Sequence, residues 1–319
     1  MKVLILAGGF ATRLWPLTEN RSKPLLLLNG ETILSHIIKK IPQGLEIILL
    51  TNKRFELDFL KELQNIGRKK VKIFLEDSFS DGEKLGALGS LSEAIKYYKI
   101  TENILVLAGD NLLPDLDITD LFCDEGESKL AVRELIDLHT ARKFGVVELE
   151  KEGNRVVGFE EKPESPKSTL VSTGFLSIGK DLFPILHDFA AREPDALGGI
   201  FPEFLVHGKI ISAVKVKGEW FDVGSFETYL EAHKKIQFEK LKKDSKVKEH
   251  GNQFLGKVFL GKGSEVKNSI LIDTIVYPGT KLKNCRISNT IIDEDCNFSG
   301  LDLNQKLIRK NTYLHAENV

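Results

Sequence analysis

Four short aliphatic runs, Val3–Ala7, Glu46–Thr51, Val71–Leu75 and Ile104–Ala108, stand at intervals that leave room for a helix between neighbours. Short aliphatic runs of this kind suit buried parallel strands. Between them the period changes. Thr32–Ile41 places Ile33, Leu34, Ile37, Ile38 and Ile41 on one helical face, and Phe55–Ile66 does the same with Phe55, Phe59, Leu60, Leu63 and Ile66. Ser90–Tyr98 offers a third helix. Strand and helix in this rhythm leave few topologies open, and the prediction is an α/β fold with a Rossmann-like, doubly wound sheet.

The rhythm breaks twice. From Lys129 to Val216 the strands look antiparallel, with a hairpin joining "FGVVELE" to "RVVGFEEKP" through Gly153–Asn154, so the sheet is expected to be mixed. A helix predicted over Ser225–Leu241 then runs into the charged "KKDSKVKEHG". After Asn252 an aliphatic residue recurs about every six positions with Gly and Asn between, and helical periodicity is absent. This predicts a short left-handed parallel β-helix of about two or three coils, while a small antiparallel sheet remains open. Val266, Ile270, Ile272, Ile275, Leu282, Ile287 and Ile291 are the expected apolar stripe. The expected division is an α/β domain over 1–240, a linker over 241–251, and the β-helix with its tail over 252–319, of which 304–319 have no assignment.

A chain of 319 residues, 42% of them hydrophobic and 29% charged, is long enough for two cores. Its net charge of −1 supplies no global field for nucleic acid or membrane, so any polyanion site must be local. Val3–Ala7 is too short for a secretory core, and no apolar run approaches a membrane span. The three cysteines lack metal-ligand spacing and are odd in number, from which a reducing cytoplasm is expected.

The opening stretch, "LILAGGFATRLWPLTENRSKPLL" from Leu4 to Leu26, carries the chemistry. Ligands of open α/β sheets sit beyond the carboxyl ends of the strands, where Gly8 and Gly9 fall. Two glycines let backbone N–H groups approach a phosphate. Arg13 supplies a fork of donors and Lys23 a compact positive charge. Neither a Walker loop nor a dinucleotide fingerprint fits these spacings, and the combination suits a polyphosphate.

"LAGGFATRLWPLT" with "SKP", followed in order by "VLAGDN", "KFGVVELE", "EEKP", "STGFLSI" and "EWFDVGS", resembles the sugar-1-phosphate nucleotidyltransferases. Within them the chain is most similar to the glucose-1-phosphate thymidylyltransferases, over about residues 1–235. One departure is Ala11, where the family usually has glycine. The resemblance implies a Mg²⁺-dependent enzyme joining a nucleoside triphosphate, dTTP or UTP before others, to glucose 1-phosphate. It assigns Arg13, Lys23 and Lys162 to catalysis, and Leu6, Gly8, Gly9, Glu76, Gly86 and Asp110 to the nucleotide. Gly145, Glu161, Gly174 and Trp220 are assigned to the sugar, and Asp110 and Asp222 to the metal. Read without the resemblance, both aspartates are equally well helix caps. The base (thymine, uracil or guanine), the sugar and the oligomeric state stay open.

Three other readings compete. Asp115-Leu116-Asp117 is a D-x-D of the kind metal-dependent glycosyltransferases use, but it precedes "ITDLF" and reads better as a helix cap. Acyl transfer on the β-helix would need a histidine, and the repeat contains none. A sugar-nucleotide-binding regulatory subunit without turnover would not need Arg13, Lys23, Asp110, Lys162 and Asp222 together. Every chemical motif lies upstream of Asn252, so the tail is expected to serve subunit contact, as a homo-oligomer, and to be dispensable for the catalytic fold.

Overall fold

The computed structural model describes residues 1–9, 12–78, 80, 82, 84–236, 241–244 and 247–316. Two units divide the chain: Met1–Phe10 with Leu34–Trp220, and Ala11–Ile33 with Phe221–Val319. Ala11, the departure from the resembled pattern, lies outside the described residues.

The first unit is built on a nine-stranded mixed sheet. Its strands are β1 (Lys2–Leu6), β2 (Ile47–Asn52), β3 (Val71–Glu76), β4 (Ile104–Ala108), β5 (Glu127–Glu134), β6 (Gly145–Leu149), β7 (Val156–Glu161), β8 (Leu170–Ile178) and β9 (Ile210–Lys215). The main path runs β7-β6-β8-β4-β1-β2-β3, and β5 pairs with both β8 and β9. The four aliphatic runs pair in parallel, with Val3 opposite Ile47, Lys2 opposite Ile104 and Ile47 opposite Val71, but β3 ends the path and, against expectation, is only partly buried, with Lys72 exposed. The later strands are antiparallel as expected, including the β6–β7 hairpin. β9 departs from that expectation and runs parallel to β5.

Burial explains the unbroken runs. Leu4, Ile48 and Val106 face a core shared with the helices α3 (Ala87–Tyr97), α5 (Phe183–Arg192) and α6 (Ile200–Val206). Val3, Ile5, Ile47, Leu49, Leu105 and Leu107 alternate to the opposite face and are equally buried. The other helices are α1 (Ile33–Lys40), α2 (Glu56–Ile66), α4 (Leu138–Ala141) and α7 (Phe226–Lys235). α2 stops where Gly67 takes the left-handed conformation and its N–H reaches the Leu63 carbonyl. α7 ends at Lys235, short of the Leu241 expected to close it. Residues 237–240 lie outside the described residues, and Leu241 belongs to a strand.

The second unit contains a parallel β-helix. One of its sheets stacks Lys248–His250, Glu265–Lys267, Lys281–Lys283, Asn297–Ser299 and Tyr313–His315, every pair parallel. That is five levels where two or three were expected. Leu241–Lys243 and Lys248–His250, from the expected linker, form strands at one end, and the unassigned tail adds Leu307–Ile308 and Tyr313–His315 at the other. The repeat has a local cause. Asn268, Asn284 and Gly300 all have positive φ, as do Asp273, Asn289 and Gln305, and each series steps by sixteen residues. Asn, Asp and Gly tolerate this left-handed conformation and hold five of these six corners, Gln305 being the sixth. Val266, Leu282 and Ile287 point into the solenoid core, as expected. Ile270 and Ile272 do not: they are half-buried, and Leu271 between them points inward, because side chains alternate along a strand. Ile275 and Ile291 are fully buried but lie outside that core cluster.

The tail that was expected to be dispensable is in contact with the opening segment. The "TRLWPLTENRSKPLL" segment and the solenoid are parts of one unit. Leu27 shows why. Its N–H donates to the Tyr277 hydroxyl at 3.1 Å, and its carbonyl accepts from the Tyr229 hydroxyl of α7 at 2.7 Å. The two hydroxyls are 2.8 Å apart, and both tyrosines are fully buried. Gly30 (φ 77°) lies so close to Phe259 that a Cβ there would meet the ring at 2.9 Å.

Candidate active site

In the first unit a cleft of about 130 Å³ opens beyond the carboxyl ends of β1 and β3. Leu6, Gly8, Gly9, Glu76 and Gly86, all expected at a nucleotide, line it together. The loop after β1 is held by its neighbours: the Ala7 N–H reaches Leu50, the Asn52 amide donates to the Gly8 carbonyl at 2.9 Å, and the Gly109 N–H reaches the Leu6 carbonyl. A side chain at Gly8 would come within 3.1 Å of Glu76 Oε1, whereas one at Gly9 would enter open space.

Glu76 ends β3 and is 5% exposed. Its carboxylate accepts from the Leu85 N–H at 3.3 Å and from the Ser90 hydroxyl. The Pro194 backbone requires glycine at position 86. The Pro194 carbonyl accepts from the Leu88 and Gly89 N–H groups, capping the first turn of α3. A Cβ on Gly86 (φ 79°) would collide with that carbonyl at 2.5 Å. Lys84 and Asp195, which sequence reasoning did not single out, also line the cleft and pair at 3.1 Å.

A second group gathers beyond the carboxyl end of β4. Asp110 follows that strand, and the Asn111 amide donates to Asp110 Oδ1 at 3.1 Å. The Trp220 indole N–H in turn donates to Asn111 Oδ1 at 2.7 Å. Gly174 (φ 79°) lies against Ala108 and Asn111, and a Cβ would approach Ala108 Cβ at 3.0 Å. The Trp220 ring packs on Phe144 at 4.9 Å. Lys162, in the left-handed region at φ 47°, donates its backbone N–H to the Phe144 carbonyl. A non-glycine residue there stores strain of the kind that gathers at functional sites. Glu161 sits opposite Gly145 in the hairpin, and its Oε1 lies 3.4 Å from Lys162 Nζ. Gly145 is glycine because a Cβ would strike the Phe159 ring at 2.3 Å and crowd the Glu161 carboxylate at 3.0 Å.

The first unit therefore brings Asp110, Gly145, Glu161, Lys162, Gly174 and Trp220 into one connected neighbourhood. In this group Asn111 is the residue that sequence reasoning missed, although it stands within "VLAGDN". Its amide fixes the Asp110 carboxylate, and the indole fixes the amide. The D-x-D is structural: Asp117 caps Ile118–Leu121 by accepting from the Thr119 N–H at 2.9 Å, which lowers its pKa, and Asp115 accepts from the Glu219 N–H.

Arg13, Lys23 and Asp222 belong to the second unit. Arg13 is exposed in the short helical turn Thr12–Leu14, and Lys23 opens the turn Lys23–Leu25, whose Pro24 and Leu25 are buried. Asp222 precedes α7 but does not cap it. Ser225 does, in a capping box with Thr228. Asp110 is likewise followed by no helix. The capping explanation for these two aspartates therefore falls. Among the described residues no group of three or more His, Cys, Asp or Glu side chains gathers as a metal site, and no helix is long and apolar enough to cross a membrane.

Known proteins share this framework. A bifunctional protein GlmU of Methanococcus aeolicus is 30% identical over 274 residues, which take 84% of this chain. The chain spans 62% of that relative's length. A glucose-1-phosphate thymidylyltransferase of Streptomyces antibioticus is 26% identical over 317 residues, covering 95% of this chain and 85% of the relative. The crystal structure of a putative glucose-1-phosphate thymidylyltransferase from Bacillus anthracis, in complex with a sucrose, superposes with a TM-score of 0.63 at 25% identity. That likeness covers 75% of this chain and 98% of the other. Residues 2–239, from the first β-strand to just past α7, match the signature of one enzyme family. The chain belongs to the nucleotidyl transferase family.

Proposed function

We propose that the protein is a sugar-1-phosphate nucleotidyltransferase that makes a nucleoside diphosphate sugar and pyrophosphate, with dTTP or UTP and glucose 1-phosphate as its substrates. The observation that carries this reading is the meeting, at one edge of the sheet, of the Glu76 cleft and the Asp110–Asn111–Trp220 chain with Lys162 nearby. The thymidylyltransferase relative and structure support the choice of base and sugar.

In the reaction a phosphate oxygen of the sugar phosphate forms a bond to the α-phosphorus, and the bond from that phosphorus to the bridging oxygen breaks. Pyrophosphate departs with the electron pair. Two anions must be brought together, so positioning and charge neutralisation supply most of the acceleration. Lys162 neutralises the attacking sugar phosphate, Lys23 the α-phosphate, and Arg13 the departing pyrophosphate. Leu6, Gly8, Gly9, Glu76 and Gly86 hold the nucleoside. The indole of Trp220 offers a face for a pyranose, Glu161 accepts from its hydroxyls, and Gly145 and Gly174 leave room for it. The donor set fits Mg²⁺: Asp110 and Asp222 offer hard carboxylate oxygens, and this ion takes one or two carboxylates with substrate phosphates. When bound, it supplies charge neutralisation on the phosphates. Self-association through the solenoid and a cytoplasmic location belong to the same proposal.

One observation favours a second base. In the cleft the Glu76 oxygens act as acceptors, from the Leu85 N–H and the Ser90 hydroxyl, whereas thymine and uracil flank their single N3–H with two carbonyl oxygens. Guanine presents adjacent N1–H and N2–H donors. GTP is therefore the alternative.

The two cationic roles separate kinetically. Lys162→Ala is expected to raise the KM for sugar phosphate roughly tenfold while that for the triphosphate hardly moves. Arg13→Ala is expected to lower kcat roughly hundredfold, because the charge it faces develops only as pyrophosphate leaves. Steady-state kinetics with each substrate varied in turn checks this, and identical signatures in both variants would end the division of roles.

A further inference from the structure

The second unit holds an ion-pair cluster that the proposed reaction does not use. Arg21 lies between Arg13 and Lys23, and its guanidinium forks across two consecutive carboxylates of the solenoid. One nitrogen donates to Asp293 Oδ1 at 3.1 Å and the other to Glu294 Oε1 at 2.7 Å. The guanidinium also stacks on the Tyr277 ring, 4.7 Å from its centroid. The pair is sheltered, since the Arg21 side chain is 16% exposed and that of Asp293 only 3%. A second tie joins Arg309 to Glu19 at 2.7 Å.

The chain on either side of these ties is short and braced. The Thr18 N–H reaches the Leu14 carbonyl, the Leu25 N–H the Ser22 carbonyl, and the Leu26 N–H the Lys23 carbonyl. Beyond them Leu27 is held by both tyrosine hydroxyls. Arg21 is two residues from Lys23, so movement of its guanidinium is passed to the Lys23 turn with little chain to absorb it. A guanidinium held through two of its nitrogens by two carboxylates resists such movement better than a point charge does.

We infer that Arg21 is a positioning residue: clamped by Asp293 and Glu294 of the β-helix, it fixes the conformation of the segment that carries Arg13 and Lys23. The solenoid thereby sets how well those cations meet the triphosphate. The inference rests on the roles proposed above for Arg13 and Lys23.

The test compares Arg21→Ala, Arg21→Lys, Asp293→Asn, and the double variant Arg21→Ala with Asp293→Asn, beside Arg13→Ala and Lys23→Ala as controls. Pyrophosphate release is measured with dTTP, UTP or GTP, whichever turns over, and with glucose 1-phosphate. Arg21→Ala is expected to reduce kcat/KM for the triphosphate by roughly tenfold to hundredfold, the scale of a misplaced catalytic group. The KM for sugar phosphate should hardly change. Asp293→Asn, near-isosteric and remote in sequence, should reproduce the same selective loss even if Arg21→Ala does not fold. Arg21→Lys should recover part of the activity, and the double variant should be no worse than the more impaired single one. Additive losses, or equal losses for both substrates, would mean the clamp only stabilises the fold and would overturn the inference. So would wild-type kinetics in Arg21→Ala and Asp293→Asn while the controls are impaired. Wild-type kinetics in the controls themselves would instead defeat the roles of Arg13 and Lys23, and the clamp with them.

Discussion

Replacing Asp110 or Asp222 by asparagine is expected to cut Mg²⁺-dependent pyrophosphate release by roughly a thousandfold while leaving the fold intact. Each substitution removes one charged oxygen ligand from a hard cation and keeps the side-chain volume. At Asp110 the effect has a local geometry behind it. Asn111 donates to Asp110 Oδ1 and is itself held by the Trp220 indole, so the carboxylate is fixed before any ligand arrives. An amide at position 110 would face the same Asn111 donor with one oxygen fewer. At Asp222 the stability of α7 should not suffer, because Ser225 and Thr228 supply the cap. Melting curves should therefore coincide with the parent protein within the scatter of surface substitutions, about 0.5 kcal/mol. Near-normal turnover in either variant would remove that residue from the metal site.

The second large effect is expected from shortening the chain at Asn252. The shortened protein loses Asp293 and Glu294, the partners of Arg21, and Arg309, the partner of Glu19. It also loses Tyr277 from the backbone of Leu27, and the Lys257 carbonyl that the buried His233 ring meets at 3.0 Å. A buried charge left without its partner costs about 3–5 kcal/mol, and each abandoned buried polar group about 1–3 kcal/mol. Several such losses together approach the whole stability of a domain, about 5–15 kcal/mol. The expected outcome is a shortened chain in which residues 11–33 become open to limited proteolysis, with activity down more than roughly hundredfold. Light scattering on the same two proteins tests self-association, and a smaller number of chains per particle after shortening is expected. A shortened chain that is fully active and protease-resistant would contradict the structural role of the solenoid. An unchanged number of chains would remove it as the assembly element.

Much of the first unit was legible because its signal is local. Strands β1, β2 and β4 are buried on both faces, so their apolar runs admit no polar interruption. The hairpin turn and the glycine loop likewise declare themselves within a few residues. The solenoid was recognisable but too short in prospect, since its outer levels lack the apolar mark. Lys248, Glu249 and His250 are all exposed, as are Tyr313, Leu314 and His315, and only pairing with inner strands identifies them. What sequence could not show is long-range pairing. Arg21 and Asp293 are 272 residues apart, and nothing near either one announces the other. The glycine at position 86 is a related case: its need comes from the Pro194 carbonyl, far along the chain. Asn111 was in view within a quoted motif, yet its task becomes visible only once the Trp220 indole is seen to fix its amide.

The most direct measurement is pyrophosphate release across a matrix of nucleoside triphosphates and sugar 1-phosphates, with Mg²⁺ and with a chelator in its place. Release is expected only when a triphosphate, a sugar 1-phosphate and Mg²⁺ are all present. dTTP or UTP with glucose 1-phosphate should lead, and GTP should lead instead if the Glu76 carboxylate reads guanine. Binding of a nucleoside diphosphate sugar without pyrophosphate release from any pair would contradict nucleotidyl transfer and leave a binding protein in its place.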